Sequence, residues 1–350
     1  MSRFISKRIQ EMSVYVPGEQ PQGGNFIKLN TNENPYPPSP MVTAALREMP
    51  ADKPKLYPDP SCMALKRAIA EFYKLDAKEV FVGNGSDEVL SSAFRAFFDE
   101  GDKVYFADIT YGFYKVYSSL YGLQATEIPL ATDFHIELSD YMGLDGHMLI
   151  ANPNAPTGLY HTRQEMEAVI QANPDRLVII DEAYIDFGGE SCIPLIRKYD
   201  NLLVVQTFSK SRALAGMRLG FGIGSPALVE ALEKVKFSMN PYNINQMTMA
   251  AGIASMQDRG YFEETTRKIV ATRERFSAEL QARGFTVLPS RTNFVFAKSQ
   301  TLSGRELYEY LKDRKILVRH FDVPRISEYL RISIGTDQEM DALLAALPQE

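Results

Sequence analysis

Lys210 stands in the run Thr207-Phe208-Ser209-Lys210, and Arg218 closes the segment Leu214-Ala215-Gly216-Met217-Arg218 just beyond it. A primary amine flanked by hydroxyls, with a guanidinium nearby, suits attack on a carbonyl while an anionic group is held alongside. Taken alone, Lys210 is one of 38 Lys+Arg residues, and a solvated surface chain would be the default. Its setting changes that reading, because it directly follows the apolar run Leu202–Val205. A lysine at a dehydrated strand end keeps its amine available for imine formation. A second apolar run, Leu177–Ile180, leads straight into Asp181-Glu182-Ala183-Tyr184. Two strands that each end in polar side chains place a site at the carboxyl edge of a parallel sheet.

Asp181 has an ordinary use as a cap or in a structural ion pair. Opposite a pyridine nitrogen, the same carboxylate would keep the ring protonated and so make it an electron sink. Tyr184 is either a packed aromatic or a phenol that donates to a ring oxygen. Gly83-Asn84-Gly85-Ser86-Asp87 follows a predicted strand and opens a predicted helix, the geometry that holds phosphate on backbone N–H groups. Its spacing matches neither the P-loop nor the dinucleotide fingerprint. Ser209 and Arg218 would complete the phosphate cradle, since the guanidinium fork donates two bonds at once. Tyr111, in Thr110-Tyr111-Gly112-Phe113-Tyr114, follows another strand and could stack on a pyridine ring or pack in the core. Amine, carboxylate, phenol and phosphate cradle are together what pyridoxal 5'-phosphate (PLP) requires.

The elements that must position these groups alternate along the chain. Strands are predicted at Val80–Val82, Val104–Ala107, Met148–Ala151, Leu177–Ile180, Leu202–Val205 and Leu219–Ile223. Helical periods lie between them at Asp87–Phe98, Tyr114–Tyr121 and Arg163–Asn173. Apolar runs alternating with amphipathic segments predict a mostly parallel, doubly wound α/β sheet. Upstream, Pro- and Gly-rich residues read as an extended arm, then helices near Pro40 and over Cys62–Lys74, the latter capped by Ser61. Beyond Gly224 a long helix over Tyr261–Arg283 and short strands at Phe285–Leu288, Phe294–Ala297, Ile316–Val318 and Leu330–Ile334 predict a separate α+β domain. The expected division is 1–48 for the arm and part of the small domain, 49–245 for the large domain and 246–350 for the small one.

The 350 residues suffice for a large domain plus a smaller one. A net charge of −6 without a basic block argues against nucleic acid or an anionic membrane as partner. Cys62 and Cys192 form no metal or redox motif and fit a reducing compartment. The four histidines (His135, His147, His161, His320) lack metal-ligand spacing. No apolar stretch follows the opening charges and none has a membrane span's length, so a soluble, cytoplasmic protein is expected.

Asn152-Pro153-Asn154-Ala155-Pro156-Thr157-Gly158, Asp181-Glu182-Ala183-Tyr184 and Ser209-Lys210 to Arg218 together resemble the class I/II aminotransferases of PLP fold type I. Within that family, Leu29-Asn30-Thr31-Asn32-Glu33-Asn34-Pro35, Tyr57-Pro58, Asn240-Pro241-Tyr242-Asn243-Ile244-Asn245 and Leu330-Arg331-Ile332-Ser333-Ile334-Gly335-Thr336 are most similar to the branch acting on histidinol phosphate. The resemblance implies a large domain with a mostly parallel seven-stranded sheet between helices, plus a smaller α+β domain. It implies that Lys210 carries the Schiff base and moves a proton, that Asp181 holds the pyridine nitrogen, and that Tyr184 donates to the ring oxygen. Tyr111 would stack on the ring, while Gly85, Ser86, Asp87, Ser209 and Arg218 bind the phosphate, with Thr207 and Asn154 in the cofactor shell. Tyr57 would reach the phosphate of a neighbouring subunit, implying a homodimer with shared sites. Arg331 and Arg319 are candidates for the substrate's anionic end, with Asn32 beside them and Tyr15 on an arm that closes over the substrate.

One position departs from the family pattern. Many relatives carry asparagine directly before Pro-Thr-Gly, where its amide donates to the ring oxygen; here that residue is Ala155. The reaction implied is L-histidinol phosphate plus 2-oxoglutarate, interconverting with imidazole acetol phosphate and L-glutamate in histidine biosynthesis. An aromatic-amino-acid aminotransferase, a threonine-phosphate decarboxylase and a non-catalytic PLP-binding regulator remain as rivals.

Overall fold

The computed structural model describes residues 2–12, 14–21 and 23–348. Its centre is a seven-stranded sheet in the spatial order Val80–Gly83, Gly220–Gly224, Leu202–Thr207, Val178–Asp181, His147–Ala151, Lys103–Ala107, Gln124–Ile128. Gly220–Gly224 runs antiparallel to both its neighbours, and the remaining pairs are parallel. The register aligns Ala151 with Asp181 and Asp181 with Val205, so two strands end level and Leu202–Thr207 runs two residues further at the same edge. Because Gly220 opposes both Gly83 and Thr207, the antiparallel strand begins at that same edge and delivers Arg218 there.

The central strands read as unbroken apolar runs because both faces are covered. Ile180 and Val204 face a core shared with the helices Met63–Tyr73, Arg163–Ala172 and Gln246–Gln257. Ile179, Leu203 and Val205 face the other core, under Ser86–Phe97, Phe113–Tyr121 and Pro226–Met239. The seventh strand, Gln124–Ile128, has no apolar run to announce it. It lies at the sheet edge with exposed side chains, where hydrogen bonding to Lys103–Ala107 rather than burial defines it. At Met63–Tyr73 the N-cap position is Cys62, not Ser61; the Asp59 carboxylate accepts from the Ser61 and Met63 N–H groups, and the Ser61 hydroxyl bonds to Asp59.

A second, antiparallel sheet is ordered Arg319–His320, Tyr329–Ser333, Phe294–Lys298, Thr286–Val287. It packs with Arg259–Ala282, Gly304–Asp313 and Asp337–Ala346 around Val295, Leu330, Ile332 and Phe276. The N-terminal arm joins this unit: Ile27–Lys28 pairs parallel with Ile316–Leu317, and Ser333 N–H donates to Leu29 at 2.9 Å. The arm residues after Leu29 therefore lie between the small domain and the carboxyl edge of the large sheet. No described helix is long and apolar enough to cross a membrane.

Candidate active site

Lys210 lies on the loop joining Leu202–Thr207 to Gly220–Gly224. The Phe208 N–H donates to the Leu219 carbonyl at 2.9 Å and pins the base of that loop. The ammonium donates to the Thr31 carbonyl of the arm at 3.4 Å and sits 5.5 Å from the Tyr184 ring centre. Asp181, at the end of its strand, is 6% exposed. Its carboxylate accepts from the Tyr114 hydroxyl at 2.9 Å and from the Ala183 N–H at 3.1 Å. Burial outweighs those two donors and pushes its pKa up to about 6. Among the described residues no cation lies within ion-pair distance of it, so its charge is met by those two hydrogen bonds alone.

Gly85 precedes the helix Ser86–Phe97 with φ +84, a conformation that side chains rarely adopt. A Cβ there would also collide with the Arg218 guanidinium, whose Cζ lies 3.1 Å from it. The glycine thus lets Arg218 close over the free N–H groups of the helix start. Asp87 holds the assembly together. Its carboxylate accepts from Arg218 at 3.1 Å and from the Tyr111 hydroxyl at 2.7 Å. Ser209 is positioned by its N–H, which donates to Thr207 Oγ1 at 3.1 Å.

These groups line a cavity of about 170 Å³ that includes Ser86, Asp87, Tyr111, Ala155, Asp181, Tyr184, Thr207, Ser209, Lys210 and Arg218. A second cavity of about 420 Å³ shares Thr31, Tyr111, Ala155, Tyr184 and Lys210 with it and continues to Tyr15, Asn32, Phe321, Arg319 and Arg331. Arg331 is held over the Phe294 and Phe321 rings, with one amino group donating to the Asn30 carbonyl at 2.9 Å. Its Nε has no partner among the described residues, and burial lowers its pKa. Arg319 donates to the Val16 and Pro17 carbonyls, each at 3.3 Å, and so ties the arm to this cavity. Tyr15 stacks on Phe113 at 4.3 Å and approaches Tyr111 at 6.2 Å.

Two of the expected residues stand apart. Asn154 lines neither cavity: its amide donates to the Ile109 carbonyl and Thr157 hydroxyl while its oxygen accepts from Thr110. Tyr57 is 80% exposed and stacks on Tyr242 beside a separate surface pocket. Two residues with no role read from the sequence prove central: Tyr114, which binds Asp181, and Ser333, which binds Asn32. Tyr114 stands three residues after Tyr111, in the first turn of the helix Phe113–Tyr121 that Tyr111 leads into, a proximity that could have signalled it.

The residues present fit PLP. The buried Asp181 carboxylate, without an ion-pair partner, suits a pyridinium N–H, the Gly85 turn and Arg218 suit a phosphate, and Tyr184 and Lys210 border the space between them. Among the described residues no group of three or more His, Cys, Asp or Glu side chains could hold a metal.

Residues 24–347 match the family model for aminotransferase class I and II. The chain belongs to that family. The histidinol-phosphate aminotransferase of Clostridium acetobutylicum is 51% identical over 344 residues, 98% of each chain. That of Brachyspira hyodysenteriae is 52% identical over 342 residues, 97% of each. Among solved structures, the histidinol-phosphate aminotransferase of Sinorhizobium meliloti in complex with pyridoxal-5'-phosphate superposes with a TM-score of 0.90 at 27% identity. It covers 99% of this chain and 97% of its own.

Proposed function

We infer that this aminotransferase uses PLP and interconverts L-histidinol phosphate plus 2-oxoglutarate with imidazole acetol phosphate plus L-glutamate. The observation that carries the substrate reading is the half-buried Arg331, whose Nε has no partner among the described residues, at the end of an aromatic cavity that opens on Lys210. A desolvated guanidinium calls for an anion, and both amino donors of this reaction carry one, a phosphate or a side-chain carboxylate. The names of relatives about half identical along the whole chain support the same choice.

When bound, PLP supplies an electron sink that lets a C–H bond beside the substrate nitrogen ionise. Asp181 accepts the ring N–H and holds that nitrogen protonated; Tyr114 and the Ala183 N–H fix the carboxylate in place. Tyr184 donates to the ring oxygen. Tyr111 stacks on the ring, anchored by its bond to Asp87. The phosphate is held by the N–H groups at Ser86 and Asp87, by Ser209 and by Arg218. The Lys210 amine would hold the cofactor between turnovers and, when free, would carry the proton between the substrate α-carbon and the cofactor carbon on the other side of the substrate nitrogen. Arg331 orients the substrate's distant anion, and Tyr15 on the arm excludes water.

The working unit in this reading is a homodimer. Leu56, Tyr57, Tyr242 and Met247 are exposed around one pocket, an apolar surface suited to a second copy. Tyr57 would there reach the other subunit's phosphate site. Two buried free thiols accord with a cytoplasmic location.

Tyr15, Tyr111 and Phe321 also suit a benzene ring, which keeps the aromatic-amino-acid reading in play. Single-turnover spectroscopy decides between them. Faster conversion of the PLP-loaded enzyme by L-histidinol phosphate than by phenylalanine is expected. The reverse order would move the enzyme to the aromatic class. Release of carbon dioxide from a threonine phosphate would mark a decarboxylase.

A further inference from the structure

We propose that Asn32 is a positioning residue that makes Tyr184 an obligate donor, with Ser333 fixing Asn32 in that role. The proposal rests on the reading that Tyr184 faces the ring oxygen of PLP. The Asn32 amide nitrogen donates to the Tyr184 hydroxyl oxygen at 2.9 Å. A phenol has one proton, so a hydroxyl that accepts on this side has its proton free to point elsewhere. Among the described residues the Tyr184 hydroxyl donates to none, and it borders the cavity beside Lys210. On that side stands Ala155, whose methyl can neither give nor take a hydrogen bond. The ring oxygen is the acceptor left for the Tyr184 proton. Accepting from one amide also polarises the O–H and strengthens what it donates.

Asn32 itself is held from three directions. Its N–H donates to Ser333 Oγ and its side-chain oxygen accepts from the same hydroxyl, both at 2.9 Å. Its carbonyl accepts from the Asn293 amide at 2.9 Å. The Ser333 proton is thus committed to the side-chain oxygen, which turns the NH₂ end toward Tyr184. Asn32 adopts φ 57, a left-handed conformation that asparagine tolerates well. It is 1% exposed, so it has little surface left for substrate. The sequence implied a substrate contact for Asn32; the relay gives it a role at the cofactor, acting through Tyr184. The relay spans the arm, the small-domain strand Tyr329–Ser333 and the segment just beyond the large-domain strand that ends at Asp181. It supplies part of what an asparagine at position 155 would otherwise give.

The test is a pH titration of the visible absorbance of the PLP-loaded enzyme without substrate, so it does not depend on which amino donor is used. Tyr184→Phe removes the donor to the ring oxygen and should raise the pKa of the Lys210-linked chromophore by about one pH unit or more. Asn32→Ala should raise it by roughly half as much, and by nothing further in the Tyr184→Phe background, since the two act as one unit. Ser333→Ala leaves the left-handed residue untouched and should shift it in the same direction. Asn32→Asp keeps the backbone preference but presents an acceptor to Tyr184, and should match Tyr184→Phe or exceed it. A shift for Tyr184→Phe with none for Asn32→Ala, Asn32→Asp or Ser333→Ala overturns the relay alone. Equal shifts for Asn32→Ala with and without Tyr184 also overturn it. No shift for Tyr184→Phe overturns both the relay and the placement of Tyr184.

Discussion

Asp181→Asn should stabilise the cofactor-free protein while weakening the PLP-bound one. Burial raises the Asp181 carboxyl from its ordinary 3.8 to about 6, because lost hydration outweighs the Tyr114 and Ala183 hydrogen bonds and the more distant Lys210 charge. A carboxyl whose folded pKa is raised binds more protons folded than unfolded. Its penalty is absent below about pH 4, grows as pH rises, and is complete above about pH 6. A rise of about two pH units corresponds to roughly 3 kcal/mol. Asparagine removes that penalty. Its oxygen can accept from the Ala183 N–H, but its NH₂ would face the Tyr114 hydroxyl and leave that proton unplaced, a loss of about 1 kcal/mol. The net expectation is a gain of about 2 kcal/mol near pH 8 and a small loss near pH 4. Glu182, pushed up to about 7 by burial, titrates in both proteins and cancels from the difference. Urea unfolding of PLP-free wild type and variant at the two pH values reads this directly. With PLP bound the order should reverse, because the pyridinium N–H loses its charged partner. A variant no more stable than wild type at pH 8, or a difference independent of pH, would refute the placement of Asp181 as a buried carboxylate without an ion-pair partner.

Arg218→Ala should weaken PLP binding by about 10- to 100-fold, the worth of one or two charge-assisted bonds, measured by absorbance titration of the apoenzyme. Arg218→Lys should recover only part of this, because the ammonium cannot reproduce the fork that spans Asp87 and the phosphate. Mixing a Tyr57→Ala variant with a Lys210→Ala variant should restore activity to about a quarter of wild type, as half the dimers would carry one intact site; no recovery would mean that Tyr57 serves its own subunit. Ala155→Asn should lower the pKa of the Lys210-linked chromophore by about one pH unit, since a second donor to the ring oxygen loosens the neighbouring proton; an unchanged titration would show that Tyr184 alone saturates that oxygen.

The chemistry was legible in the sequence wherever it sat at the end of a buried strand. Val178–Asp181 and Leu202–Thr207 are covered on both faces, so their apolar runs mark them, and Asp181 and Lys210 follow where those runs stop. Gly85 was legible because a strand-to-helix turn at positive φ selects that residue. What the tertiary structure decided was direction and partnership. The antiparallel course of Gly220–Gly224 brings Arg218 back to the Lys210 edge, yet hydrophobicity carries no strand polarity. Gln124–Ile128 left no apolar trace because an edge strand is held by backbone bonds. The amide of Asn154 is bound to Ile109 and Thr157, and that of Asn32 to Tyr184, each through contacts made by the folded chain. Residue type sets what a side chain can donate or accept; which partner it meets depends on segments far apart in sequence, as with Asn32, Tyr184 and Ser333, and only packing brings those together.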